Sequence, residues 1–378
     1  MSMKPGQNTK VLFVASVESH FISFHLPYLK WLKEQGAEVH VACSGDMQIP
    51  FTDKKHTLTF ERSPYKLNNI KAYKELKKII DSEDFKFIHC HTPMASVITR
   101  LSAKKARKRG TKVIYTAHGF HFTKGGPWQN WALYYPIEKI LSRYMDCLIT
   151  INEEDYSFAK KSLYTKDIRF VNGVGVDTDK MQKQTEEKKL QLRKSCGYKA
   201  EDFILFFAGE LSYRKHQDLL IKAVALVKEE IPDIKLLLAG DGALMNKYKQ
   251  MVEENKLEKQ VLLLGYSSEV VNLLLLSDIS VSSSRREGLP VNVMEGMAAG
   301  LPLIVTDSRG NRDLIINNEN GYVVDIEDEK QFAQAIIKLY KNPDIRKKFA
   351  ENNLRDINKY SLHVILQEMI KIYAEYLV

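Results

Sequence analysis

The chain has 378 residues, 44% hydrophobic and 27% charged, which excludes a disordered, collagen-like or disulfide-stapled protein and makes two domains the expected count. Fifty-six Lys and Arg against 47 Asp and Glu leave a net charge of +9, suited to phosphate-bearing ligands or an anionic membrane face. Helix-turn-helix, zinc-finger and RNA-binding signatures are missing, so nucleic acid is not expected as a partner. The uninterrupted apolar runs, such as Val261–Leu264 and Leu273–Leu276, fall far short of the ~20 residues of a membrane-spanning helix. Cys43, Cys90, Cys147 and Cys196 stand apart with no Cys-x-x-Cys spacing, which reads as reduced thiols in a cytoplasm.

After a polar lead, Met1–Lys10, short apolar segments alternate with helical patterns, the signature of a parallel sheet covered on both faces. Strands are expected at Val11–Ser16, Val39–Ser44, Phe87–Thr92, Lys112–Ala117, Cys147–Asn152 and Ile168–Val171. The helical patterns Phe24–Gln35 and Met94–Arg109 end at Gly36 and Gly110. From Val171 the sequence becomes loop-like and then charged through Lys194, which marks a linker. A second set of strands follows at Ile204–Ala208, Lys235–Ala239, Val261–Gly265, Ile279–Ser283, Leu303–Thr306 and Tyr322–Val324. The pattern predicts an α/β protein of two Rossmann-like parallel-sheet domains, 1–175 and 176–361, facing each other across a cleft. Residues 362–378 form an amphipathic helix that covers part of the core of either domain.

The most informative stretch runs from Ser282 to Pro302. A strand ends at the serines, Gly288 permits a tight turn, and Pro290 suits a first helical turn, where its missing N–H is no loss. The amides after Pro290 then form a phosphate-binding helix start. Glu287 stands in the turn and Glu295 about five residues into the helix, a rise of ~7.5 Å from Pro290. Two carboxylates flanking a diphosphate-sized gap suit the hydroxyls of sugar and ribose.

Glu287-x(7)-Glu295 followed by Gly300-x-Pro302 resembles the signature of glycosyltransferase family 4, retaining enzymes of the GT-B fold. Gly240-Asp241-Gly242, Thr116-Ala117-His118-Gly119 and Asn172-Gly173-Val174 agree with it, and the resemblance covers nearly the whole chain. Thr116–Tyr144 and Ala15–Pro27 look most like capsular and exopolysaccharide glycosyltransferases of the CapM and EpsD kind. The resemblance implies a nucleotide-sugar donor, a UDP-sugar, in the C-terminal domain and an acceptor in the N-terminal one. It implies that Glu295 holds ribose hydroxyls, that Glu287 holds sugar hydroxyls, and that the backbone of Gly288, Leu289, Pro290 and Val291 holds the diphosphate. The family places an Arg and a Lys five apart after the first C-terminal strand. Lys215 matches, but Glu210 stands where the Arg belongs, and Arg214 is the substitute cation.

His118 is expected at the carboxyl edge of the N-terminal sheet, where open α/β domains bind ligands. The resemblance gives it the donor-sugar pocket and a catalytic part together with Glu287. His89 and His91 alternate onto one strand face with no third ligand in sight, so no metal site is expected. Where the family often has a glycine pair, this chain has Ser16–Phe21, which points Glu18 and His20 toward an acceptor. Phe120, Phe122, Lys124, Trp128, Trp131, Tyr134, Tyr135, Lys139, Arg143 and Tyr144, beside the basic run Lys104–Arg109, suit either a core or an anionic bilayer surface. The expectation is a cytoplasmic enzyme, peripheral at the inner membrane face, acting on a polyprenyl-diphosphate-linked saccharide in capsule or exopolysaccharide synthesis. A dehydrogenase is excluded because Gly173-Val174-Gly175 ends in Thr178 and lacks the dinucleotide fingerprint. A nucleotide-sugar epimerase of the same fold and a non-catalytic membrane-bound scaffold stay open as alternatives.

Overall fold

The computed structural model describes residues 9–61, 63–124, 126–181 and 185–377, so the polar lead before Thr9 lies outside it. Contacts divide the chain into two compact units, 1–175 with 363–378, and 176–362.

The first unit carries seven parallel strands: β1 (Lys10–Val17), β2 (Glu38–Ser44), β3 (Lys54–Thr57), β4 (Phe85–Cys90), β5 (Lys112–Ala117), β6 (Cys147–Thr150) and β7 (Asp167–Phe170). Their order is β3-β2-β1-β4-β5-β6-β7. Val11–Ala15 and Val39–Cys43 are buried at every position, as strands covered on both faces require, so they read as continuous apolar runs. β3, a Lys-Lys-His-Thr segment at the sheet edge, is absent from the sequence expectation because edge strands are short and charged. The helix expected at Phe24–Gln35 is Leu26–Glu34, opened by Pro27, and an unexpected helix, Glu18–Phe24, precedes it with His25 at the joint. Met94–Arg109 divides at Ala103 into Pro93–Ser102 and Lys104–Lys108.

Arg100 on Pro93–Ser102 is fully buried and makes a two-pronged pair with Glu138, at 2.8 and 3.2 Å, while its guanidinium lies 4.5 Å from the Tyr115 ring centre. The C-terminal helix Leu362–Leu377 packs Ile365, Met369, Ile372, Tyr373 and Leu377 into this unit's core, with Tyr373 stacked on Phe87 at 5.4 Å.

The second unit has six parallel strands: β8 (Phe203–Ala208), β9 (Ile234–Ala239), β10 (Val261–Gly265), β11 (Ile279–Ser282), β12 (Leu303–Thr306) and β13 (Gly321–Val324), ordered β10-β9-β8-β11-β12-β13. In each sheet the chain winds outward from one strand and then returns to its other side. The switch points are therefore β1/β4 and β8/β11, and loops leaving their carboxyl ends diverge to open a crevice.

Candidate functional site

In the second unit, the loops after β8 and β11 are tied together at the switch point. Arg285 N–H donates to the Arg214 carbonyl at 2.9 Å, and the Ser283 hydroxyl donates to the Lys215 carbonyl at 2.8 Å. This frame brings Lys215 Nζ to 2.6 Å from Glu287 Oε1 and Arg214 Nη1 to 3.1 Å from Glu287 Oε2. Burial acts to raise the Glu287 pKa, but the charges of Lys215 and Arg214 outweigh it and hold the carboxyl below its usual range. Arg214 and Lys215 thus share one carboxylate. Glu210 is exposed and joins no ion pair among the described residues.

The helix Val291–Ala298 begins directly after Pro290, and no side chain caps it. The first amides of such a helix lack intrahelical partners, which leaves a concentration of donors beside Lys215 and Glu287. Two glycines make the close packing possible. A Cβ at Gly296 would stand 2.5 Å from the Ser280 hydroxyl on β11, and one at Gly310 would stand 2.3 Å from the Gly288 carbonyl oxygen. Next to Gly310, Arg309 Nε donates to the Glu287 carbonyl at 3.2 Å. The buried hydroxyls of Ser212 and Ser308, on loops after β8 and β12, have no partner among the described residues. Arg309, Ser212 and Ser308 escape sequence reading because their loops share no motif and meet only through the strand order.

Glu295 makes no side-chain hydrogen bond or ion pair among the described residues, and burial pushes its carboxyl up to about 7. Its pKa in the folded state is raised above the unfolded value, so ionisation penalises the fold. The penalty is absent in acid, grows as pH rises past the unfolded value, and is complete above about 7. Glu295→Gln should therefore be more stable than the parent at pH ~8, on the order of 2 kcal/mol, and level with it at pH ~4. Thermal unfolding at the two pH values checks this.

The first unit's crevice holds a different chemistry. His118, after β5, puts Nε2 3.4 Å from His91 Nδ1, and burial lowers its pKa to about 4. His91 follows β4, His20 lies on the helix after β1, and His25 sits at the joint between the two helices. One ring nitrogen from each of these four lies within 4.8 Å of the others. The expectation that His89 and His91 have no third ligand nearby is thus corrected, because the partners arrive from segments distant in sequence. His89 itself is satisfied inside the unit, bonded at 2.8 Å to both Tyr373 Oη and Thr116 Oγ1. Glu18 faces away from this group and pairs with Lys55 at 2.8 Å.

Beside the histidines lies a cavity of about 590 Å³, walled mainly by apolar groups, among them Val17, Met94, Val97, Phe120, Phe122 and Leu133. The aromatic segment divides between two roles. Phe120 and Phe122 are core, with Trp131, Tyr134 and Tyr135 packed against them. Trp128 is 73% exposed, and Leu133, Ile137 and Ile140 are exposed on the same helix, Trp128–Leu141. In the basic run, Arg107 is engaged by Asp146 and Lys104 lies over the Tyr144 ring.

Residues 10–152 match the family "Glycosyl transferase 4-like" and residues 188–356 match "Glycosyl transferases group 1". EpsD of Bacillus subtilis, a provisionally named glycosyltransferase, is 45% identical over 97% of both chains. The chain belongs to the family 4 type of GT-B glycosyltransferases. The enzyme is also 29% identical, over 72% of its length and 71% of the relative's, to an Escherichia coli protein named UDP-Gal:alpha-D-GlcNAc-diphosphoundecaprenol alpha-1,3-galactosyltransferase. The capsular polysaccharide glycosyltransferase CapM of Staphylococcus aureus is 22% identical over 98% of both chains. Among solved structures, Anabaena HepE, described in complex with UDP and glucose, superposes with a TM-score of 0.79 over 97% of this glycosyltransferase and 100% of HepE, at 17% identity. That likeness bears on the fold, which is GT-B, with two Rossmann-like units of seven and six parallel strands.

Proposed function

We propose that this glycosyltransferase moves a hexose or N-acetylhexosamine from a UDP-sugar to a saccharide carried on polyprenyl diphosphate, with retention of the anomeric configuration, at the inner face of the membrane in capsule or exopolysaccharide synthesis. The observation that carries the donor half is the meeting of Lys215, Arg214 and an uncapped helix start around Glu287. A diphosphate there gains two cations, and the amides after Pro290 are pre-aimed at the charge that develops as it leaves, usually the largest catalytic contribution. The same groups neutralise the leaving diphosphate without calling on a divalent metal.

Glu287 keeps two of roughly four acceptor positions for its cations and has the rest for donor-sugar hydroxyls. Glu295 accepts from the ribose hydroxyls, and His118, a neutral imidazole, is the catalytic residue proposed in the first unit. The acceptor hydroxyl oxygen bonds to the anomeric carbon as the bond to the diphosphate oxygen breaks. The hydroxyl proton passes to a diphosphate oxygen on the same face. Because Glu295 is a full acceptor only when ionised, nucleotide affinity should rise as pH passes upward through about 7. Glu295→Ala should weaken UDP binding by about 1–3 kcal/mol. Glu295→Gln should lack that component of the pH slope, and calorimetry on both variants separates it from titration of UDP itself.

The acceptor half is supported by the apolar cavity, by the exposed Trp128, Leu133, Ile137 and Ile140, and by the diphosphoundecaprenol-linked acceptor in the name of the E. coli relative. No helix among the described residues is long and apolar enough to cross a membrane. Peripheral attachment through basic residues contributes about 1 kcal/mol each and weakens with salt. Sedimentation should show binding to anionic but not neutral liposomes at low salt, and less of it for Trp128→Ala with Ile140→Ser. Transfer should favour a lipid-linked over a lipid-free acceptor; equal transfer to both, with no liposome binding, would refute the membrane part.

A further inference from the structure

The histidine group in the first unit contains more unsatisfied nitrogen than a sugar pocket explains. His25 is buried with both ring nitrogens unpartnered, and the buried Nε2 atoms of His20 and His91 are also unpartnered among the described residues. Unpaired buried polar atoms destabilise a fold, and these four, on three neighbouring rings, point to a ligand. The neighbouring His89 serves as an internal contrast. It belongs to the same strand pattern, its ring lies 4.1 Å from that of His91, and both of its nitrogens are bonded within the protein.

Burial and mutual proximity keep His20, His25 and His91 well below the usual imidazole pKa, so the rings are uncharged at neutral pH. A neutral imidazole has one lone-pair nitrogen and one N–H, so each of the four rings can turn one ligating nitrogen toward the others. Four such nitrogens within 4.8 Å of one another make a cation-sized meeting of lone pairs. Zinc held tetrahedrally at ~2.0–2.1 Å from nitrogen sets its ligand atoms about 3.3 Å apart. His91 Nδ1 and His118 Nε2 share a hydrogen bond at 3.4 Å, which an ion would replace at nearly the same spacing, and the whole group spans 4.8 Å. An all-imidazole set suits zinc, copper or nickel and disfavours magnesium and calcium, which take oxygen ligands.

We infer that His20, His25, His91 and His118 form a binding site for a zinc-class transition-metal ion. It is distinct from any magnesium or manganese that a diphosphate would bring. Because the ion would hold His118, occupation would also withdraw that ring from a sugar, making zinc an inhibitor of transfer. This last consequence rests on the role proposed for His118, whereas metal binding itself does not.

Chelator-stripped protein carrying no affinity tag is titrated with Co²⁺ alone and followed by its visible absorption. The expected result is one equivalent bound with the intense bands of a tetrahedral site, released by one equivalent of Zn²⁺. His20→Gln, at a partly exposed helix position, and His25→Asn should each weaken binding by about 10- to 100-fold or more. Absence of a stoichiometric cobalt spectrum in the parent protein overturns the site, whatever the variants do. A spectrum unchanged in both variants overturns the ligand assignment. Zinc bound with transfer unaffected overturns the inhibitory consequence alone.

Discussion

Replacing Lys215 by Ala should reduce kcat/KM for sugar transfer by about 10²–10³, the loss that follows removal of one well-aimed charge donor at a site where negative charge develops. Lys215 is 9% exposed and held at 2.6 Å from Glu287, so it is placed before any donor arrives and needs no reorganisation. Arg214 is half-exposed and on a longer bond, so Arg214→Ala should cost less than Lys215→Ala. Glu210→Ala provides the control: exposed and unpaired among the described residues, it should leave transfer near the parent level. Steady-state kinetics with each variant, beside thermal melts to exclude unfolding, checks the ranking. A larger loss from Glu210→Ala than from Lys215→Ala would put the diphosphate elsewhere.

Arg100→Met should destabilise the first unit by about 3–5 kcal/mol, since it leaves the Glu138 carboxylate buried against apolar walls with its only ion-pair partner among the described residues removed. Arg100 also donates to the Ser96 carbonyl at 3.1 Å and lies against Tyr115, so both charge and packing are lost. Pairing the change with Glu138→Gln should recover much of the stability, because the double variant no longer buries a lone charge. Denaturant unfolding of the two variants separates a charge effect, which the double variant repairs, from a packing effect, which it does not.

Both sheets are legible in the sequence because doubly covered strands are continuous apolar runs, as at Phe203–Ala208 and Lys112–Ala117. β3 is not, since an edge strand of Lys, Lys, His and Thr carries no apolar signature. The proposed donor segment around Glu287 and Glu295 is local, a strand end, a turn and a helix start within about fourteen residues, and a local motif can be read without a fold. The expectation that Arg214 substitutes for the missing cation rests on neighbouring positions in one loop. In the structure both cations contact one carboxylate, that of Glu287. The histidine cluster is illegible because its members come from three segments, after β1, β4 and β5, that meet only near the β1/β4 switch point. Aromatic content alone could not divide Phe120–Tyr144 between core and surface, because the division depends on which face of Trp128–Leu141 meets Phe122 and Phe158.

The most direct test of the central claim is to incubate the enzyme with UDP-sugars and a polyprenyl-diphosphate-linked saccharide and to determine the product by mass spectrometry and NMR. The account predicts an acceptor heavier by one sugar residue, joined in the anomeric configuration the sugar had in the donor, with UDP released in equal amount. An inverted linkage would contradict the retaining mechanism, and an isomerised UDP-sugar formed without any acceptor product would contradict transfer itself.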